Sequence, residues 1–176
     1  MIKYTYWKWD AVLSREQCDL IIESTDWSAI KEAQIGDYEL KTSVRKTDVV
    51  WSPNLSVIGC VCNSYAIAAN RLAGWDFELI YNEQVQMSKY KDDGDFYDWH
   101  IDVAPPVNET QRKLSVSILL NDNFEGGEFD FDLEKDVLKK VGSVLVFPSF
   151  VRHRVRPVTK GTRYTAVNWI VGDKFR

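Results

Sequence analysis

No stretch of this 176-residue sequence is long and apolar enough to cross a membrane. The opening residues, Met1-Ile2-Lys3-Tyr4-Thr5-Tyr6-Trp7, hold no continuous apolar run, so no signal peptide is expected and the expected location is the cytoplasm. Cysteine is scarce. Cys18, Cys60 and Cys62 are an odd number without disulfide-like spacing, which fits a reducing compartment. Cys60-Val61-Cys62 is not a Cys-x-x-Cys pair and falls in a helical pattern, so it reads as packing rather than metal or redox chemistry. Charge of one sign is also missing. A net charge of −4 offers no basic face for a duplex and argues against nucleic acid as the main partner. Repeats, low-complexity tracts and linkers are absent, which leaves a single domain over residues 1–176.

Histidine occurs only twice, and both copies stand where a metal site would need them. His100 lies in Trp99-His100-Ile101-Asp102, and His153 follows Phe147-Pro148-Ser149-Phe150-Val151-Arg152. Side chains at i and i+2 of a strand point the same way. His100 and Asp102 can therefore hold one ion from a single strand, with His153 arriving from another. Two histidines and one carboxylate on one face of an ion leave three positions open, which suits non-haem Fe(II) oxygenases. The competing reading is a chance His-x-Asp pair and two ordinary histidines.

The periodicity predicts an N-terminal strand in the first ten residues and a helix opened by Ser14, with Gln17 completing a capping box. A strand is expected over 42–51, and a helix over 55–72 that stops before Gly74. From residue 77 the pattern turns to β, with strands expected at 77–90, 97–103, 114–120, 128–133, 143–147, 153–157 and 163–171. This order predicts an α+β fold: helical support over about 1–76 packed on a β-sandwich or jelly roll over about 77–172. Seven tryptophans serve either core packing or a substrate groove.

Alternation in Val151-Arg152-His153-Arg154-Val155-Arg156-Pro157 places Val151, His153 and Val155 on one face and the three arginines on the other, as a solvated or salt-bridged face or a basic patch. An Fe(II) oxygenase needs an electron source, commonly 2-oxoglutarate, whose far carboxylate requires a fixed cation. Arginine suits that task because its planar guanidinium binds carboxylate bidentately. Arg163 shares a strand face with Thr165, Val167 and Trp169. Facing inward it would be a buried charge in need of an anion; with the face reversed it is simply exposed.

Across residues 80–171 the chain resembles the prolyl 4-hydroxylase-like branch of the Fe(II)/2-oxoglutarate dioxygenases. The resemblance is carried by an ordered series. It begins with the block from Tyr90 through Gly94 and Tyr97 to His100 and Asp102. It continues with Arg112-Lys113-Leu114-Ser115, Leu120-Asn121-Asp122 and Phe124-Glu125-Gly126-Gly127-Glu128, and it closes with Gly142-Ser143, Phe147-Pro148-Ser149, His153 and Gly161-Thr162-Arg163-Tyr164. It implies a double-stranded β-helix, iron on His100, Asp102 and His153, and 2-oxoglutarate on Arg163 with Tyr90 as a second contact. Ser115, Ser117 and Thr165 would add hydroxyls to the co-substrate pocket, and Tyr97, Arg112 and Trp169 match positions near the substrate. Many prolyl hydroxylases carry lysine at the Arg163 position, which shifts weight away from a collagen-type enzyme. Strand parity places Tyr97 opposite His100, in conflict with a substrate role unless the strand begins later. Asp92-Asp93-Gly94-Asp95 reads as a mobile lid or as a plain turn.

The resemblance implies hydroxylation of a C–H bond, above all of a prolyl residue, with O2 consumed, succinate and CO2 released, and ascorbate as a further reductant. The partners expected are a peptide, a protein or a small-molecule substrate, and no membrane. Two alternatives stand beside it: a nucleic-acid base demethylase with the same ligands, and a non-catalytic metal-binding β-sandwich. The same ligands would also hold Mn, Co or Ni.

Overall fold

Local signals near the N-terminus act as the sequence suggests. The Ser14 side chain accepts the Gln17 N–H, and the Gln17 side chain accepts the Ser14 N–H, so the capping box is complete. The computed structural model describes residues 3–32, 44–103 and 105–175. In chain order the elements are β1 (Trp7–Trp9), α1 (Arg15–Ser24), a short 3-10 turn (Trp27–Ala29), β2 (Lys31–Glu32), β3 (Arg45–Lys46), β4 (Asp48–Ser52) and α2 (Val57–Leu72). There follow β5 (Tyr81–Asn82), β6 (Val85–Lys91), β7 (Phe96–His100), β8 (Thr110–Leu119), β9 (Phe124–Gly126), β10 (Phe129–Phe131), β11 (Val144–Pro148), β12 (His153–Val155) and β13 (Val158–Asp173).

Helix α2 begins at an N-cap, Ser56, whose side chain accepts the Gly59 N–H. It buries Ile58, Cys62, Ala66 and Ala69, spaced three or four apart along one face. It ends at Ala73, and Gly74 takes the left-handed conformation with φ +66°. Cys60 is exposed on this helix and Cys62 buried; these two and Cys18 are free thiols, as the packing reading expects. Among the described residues no helix is long and apolar enough to cross a membrane.

The strands form two facing sheets. The large one runs β1-β11-β8-β13-β6-β4-β2, with β5 and β9 also paired to β13; the small one runs β10-β12-β7-β3. All registered pairs are antiparallel. The large sheet is covered on both sides, which is why its central strands are almost continuously buried. Leu114, Val116 and Ile118 of β8 and Val144 and Val146 of β11 join Cys62, Ala66 and Ala69 in the helix-side core. Leu119, Leu145 and Phe147 point the other way, into a second core with Phe129, Phe131 and Val155 of the small sheet. This is a jelly roll with helices outside, the expected fold class.

Several expected boundaries move; the 114–120 strand starts at Thr110 and the 163–171 strand runs from Val158 to Asp173. The 77–90 strand is two pieces, β5 and β6, broken where Glu83 turns aside to bind Arg112. The 42–51 strand becomes β3 and β4, split at Thr47, while Thr42 and Ser43 lie outside the described residues. The division into helical support before residue 76 and β core after it fails, because β1, β2 and β4 extend the large sheet and β3 the small one. Sheet edges are completed by whichever segment reaches them, and sequence order does not restrict that choice.

Candidate active site

The two histidines meet because β7 and β12 are neighbours in the small sheet, with His100 opposite His153. Their ring centroids lie 4.1 Å apart. Asp102 reaches between them: one carboxylate oxygen is 3.5 Å from His100 Nε2 and the other 3.6 Å from His153 Nε2. One ligand atom from each of the three residues lies within 4.8 Å of the others. The expected single-strand origin of this pair is corrected: β7 ends at His100, and Asp102 stands two residues beyond it. Its placement comes instead from the backbone, since the Asp102 and Val103 N–H groups both donate to the Ser149 carbonyl, at 2.8 and 3.1 Å.

Each imidazole is oriented through its other nitrogen. His100 Nδ1 is 2.7 Å from the Asp98 carbonyl oxygen, and His153 Nδ1 is 2.9 Å from that of Val151. A carbonyl only accepts, so Nδ1 carries the proton in both rings and Nε2 presents its lone pair toward Asp102. Burial pushes His153 down to about 4 against the opposing pull of Asp102, so it is neutral at physiological pH. Burial alone would raise the Asp102 carboxyl. Attraction to His153 and His100 and the Ser115 hydrogen bond outweigh it and hold the carboxyl well below the usual range. Two imidazole nitrogens and one carboxylate are the donor set a divalent transition metal takes.

Ser115 was expected in the co-substrate pocket, and its position is corrected. Its hydroxyl donates to Asp102 Oδ2 at 2.6 Å and lies 3.0 Å from the Ser149 hydroxyl. It therefore orients the carboxylate. Removing such an outer-shell partner typically costs 10–100-fold in metal affinity. Ser115→Ala is expected to weaken Co(II) binding about tenfold with little change in fold, a shift readable by titrating the cobalt absorption.

From the triad a cavity of about 420 Å³, its mouth included, runs between the sheets, and Arg163, Thr165, Val167 and Trp169 of β13 line it together. Arg163 is 1% exposed, so the reading that leaves it on the surface is excluded. Its Nε and Nη2 meet no hydrogen-bond partner among the described residues. Aromatic faces flank it, with the guanidinium 5.6 Å from the Tyr90 ring centroid and 5.9 Å from that of Phe124. Burial pushes it down to about 10, which still leaves it charged near neutral pH. Gly127 adjoins it at φ +67°, where a β-carbon would come within 2.7 Å of Arg163 Cδ. Glycine there satisfies the backbone and leaves the arginine its room. The indole Nε1 of Trp169 is a second buried donor without a partner.

Tyr97 also lines the cavity, and its ring stacks on His100 with centroids 3.4 Å apart. Simple parity forbids this, but the register shifts: His153 faces His100 while Val155 faces Tyr97. Two residues of β7 thus oppose one of β12, and this β-bulge turns Tyr97 and His100 to the same side. Arg112 is held bidentately by Glu83 at 2.8 and 2.6 Å, and its guanidinium lies 3.8 Å from the Trp169 ring centroid. The segment around Asp92-Asp93-Gly94-Asp95 is the turn rather than the lid. Lys46 ion-pairs with Asp93 and Asp95, Asp95 accepts the Lys91 N–H, and Asp92 accepts the Gly161 N–H. The arginine face of β12 is salt-bridged, Arg154 and Arg156 sharing the buried Asp130.

Two polar residues near the site escaped the sequence reading, Gln86 in the cavity wall and Arg45 behind Tyr97. Gln86 lines the cavity from β6, on the same alternate set of positions as Tyr90. That period-2 spacing was the available signal. Arg45 gave none: it is 7% exposed, lies 4.5 Å over the Tyr97 ring, and pairs with Tyr97 only through the β3–β7 contact. The sequence also points to loops around 30–45 and 91–96 as shaping the pocket lining, and of these residues 33–43 lie outside the described ones.

The family description "2OG-Fe(II) oxygenase superfamily" matches residues 85–171. A PKHD-type hydroxylase of Synechococcus sp. (strain CC9902) is 33% identical over 99 residues, covering 53% of this chain and 44% of that protein. The chain thus spans about half or less of the length of the curated relatives it matches. A viral collagen prolyl hydroxylase from Paramecium bursaria Chlorella virus-1, solved with 2-oxoglutarate, shares the fold with a TM-score of 0.76 at 22% identity, covering 97% of each chain. A prolyl-4-hydroxylase from Pseudomonas putida follows with a TM-score of 0.71 at 21% identity, covering 96% of this chain and 92% of that one. Residues 85–171, which span both histidines and Arg163, thus match the 2OG-Fe(II) oxygenase superfamily, and in this chain they place a two-histidine, one-carboxylate cluster inside the jelly roll that solved prolyl hydroxylases share.

Proposed function

We propose that this chain is an Fe(II)- and 2-oxoglutarate-dependent dioxygenase that hydroxylates a prolyl residue of a peptide or protein. The observation that carries the reading is the buried Arg163, two of whose guanidinium nitrogens meet no partner among the described residues, in a cavity whose wall also holds His100, Asp102 and His153. A buried cation without a counter-ion is costly unless a ligand supplies the anion. A dicarboxylate whose other end chelates a metal fits both ends of that cavity.

In this reading His100, Asp102 and His153 hold Fe(II), which when bound supplies O2 activation coupled to conversion of 2-oxoglutarate to succinate and CO2. Arg163 binds the distal carboxylate bidentately, with Thr165 and Tyr90 beside it. Phe129, Phe147 and Val155 line the cavity and exclude water. Tyr97 and Trp169, with Arg112 stacked on the latter, position the substrate. Ascorbate serves as a further reductant. The prolyl peptide substrate is supported by the solved neighbours, which are prolyl hydroxylases, one of them bound to a peptide fragment. A reducing, cytoplasmic setting is supported by the three free cysteines.

The test is succinate release with Fe(II) and 2-oxoglutarate, comparing proline-containing peptides with alkylated oligonucleotides. Stimulation by peptides alone is the expected result. Stimulation by oligonucleotides alone would replace the prolyl substrate with a nucleic-acid base. A metal-loaded protein that gives no 2-oxoglutarate charge-transfer band under anaerobic conditions would end the co-substrate reading.

A further inference from the structure

Trp99 sits beside the metal-site histidine but on the outer side of the small sheet, where three cations surround its ring. The Lys135 ammonium lies 4.8 Å from the indole centroid, and the guanidinium carbons of Arg152 and Arg154 lie at 5.0 and 4.6 Å. None of the three is loose. Arg154 is anchored on the buried Asp130 at 2.9 Å and Arg152 on Asp132 at 3.3 Å. Lys135 donates to the Phe131 and Asp132 carbonyls at 3.1 and 3.2 Å. Every anchor belongs to β10 or the residues just after it, so the cage ties Trp99 across β12 to the next strand.

What the cage holds is the β-bulge. Asp98 and Trp99 are the two residues of β7 that face a single residue, Arg154, on β12. The bulge turns Tyr97 over the His100 ring, and it also delivers the Asp98 carbonyl to His100 Nδ1 at 2.7 Å. That carbonyl fixes which nitrogen of His100 faces the metal position. Beyond the β3 pairing and Arg45 contact at Tyr97, two further bonds support the bulge among the described residues: Asp98 N–H to the Val44 carbonyl and Trp99 N–H to the Asp98 carboxylate, both at 2.8 Å. Neither restrains the indole side.

We infer that Trp99 is a positioning residue for the metal site, its cation-caged indole holding the bulge that sets the tautomer and direction of His100. The inference rests on the proposed role of His100 as a metal ligand. Cation–π contacts need an aromatic face, so phenylalanine should replace Trp99 and leucine should not.

The chain has only two histidines, so labelling histidine with ¹⁵N yields two imidazoles to follow. In the metal-free parent both are expected as Nδ1–H tautomers. In Trp99→Leu the His100 ring is expected to lose that preference while His153 keeps it, and Co(II) affinity is expected to fall about tenfold, as for loss of an outer-shell partner. Trp99→Phe should restore both within about twofold of the parent. The double variant Lys135→Met, Arg152→Gln leaves the indole in place and removes two exposed cations. It should move His100 in the same direction, and it decides the matter if Trp99→Leu does not fold. Unchanged His100 tautomer and Co(II) affinity in the folded variants would overturn the inference. A parent that takes up no Co(II) would instead sink the proposed metal site, and the tautomer comparison, which needs no metal, would still judge Trp99.

Discussion

Replacing Arg163 with methionine is expected to raise the melting temperature of the ligand-free protein and to abolish its response to 2-oxoglutarate. The two effects have one cause. The guanidinium is almost fully buried, with two of its nitrogens unpartnered. Replacing buried ionic groups by apolar residues of similar volume is often neutral or stabilising by about 1–4 kcal/mol even where the charge was paired. Methionine keeps the straight stem that packs beside Gly127 and removes the charge. For a chain of this length about 1 kcal/mol corresponds to roughly 2–4 °C. The opposite sign appears on binding. Breaking a buried charge pair costs about 3–5 kcal/mol, which is on the order of 100-fold or more in affinity. Thermal melts of the metal-loaded protein with and without 2-oxoglutarate separate the cases. A variant that melts several degrees below the parent and still responds to 2-oxoglutarate would show that Arg163 is a structural cation.

Asp102→Asn should have the largest effect on metal. Asparagine preserves volume, and the backbone bond from residue 102 to the Ser149 carbonyl does not depend on the side chain. What is lost is the anionic ligand between two imidazoles. Outer-shell losses run to about 10–100-fold, so loss of this ligand should exceed about 100-fold. The metal-free variant should melt below the parent, because the attraction and hydrogen bonding that hold the Asp102 carboxyl below its usual range favour the folded state at neutral pH. Co(II) titration beside a thermal melt checks both halves. Retained affinity would move the metal site away from this cluster.

Much of the site was legible because its signals are local. His100, Asp102 and His153 could be chosen from a chain with two histidines, and alternation along one uninterrupted strand grouped Arg163 with Thr165, Val167 and Trp169 while leaving open which way that face points. The capping box at Ser14 lies within four residues. What escaped depends on pairing. The placement of Tyr97 turns on two residues of β7 facing one of β12, an offset that neither strand reveals alone. Ser115 points at Asp102 because β8 runs beside β11, where Ser149 follows and holds Asp102. Arg45 reaches Tyr97 through a two-residue strand too short to carry a period. The acidic turn looked mobile because its cation, Lys46, is distant in sequence.

The position of β13 has a kinetic consequence. It follows every other described strand in chain order, yet it lies between β8 and β6 in the middle of the large sheet. Until it emerges from the ribosome, β8 and β6 cannot be joined, and each presents an open edge. Closure therefore waits on non-local pairing, which makes folding slow. A partly made chain exposes these edges until β13 is available, and is prone to aggregate while it does. The histidines and Asp102 are made before this strand, and Arg163 arrives on it, so the metal ligands precede the co-substrate anchor in the order of assembly.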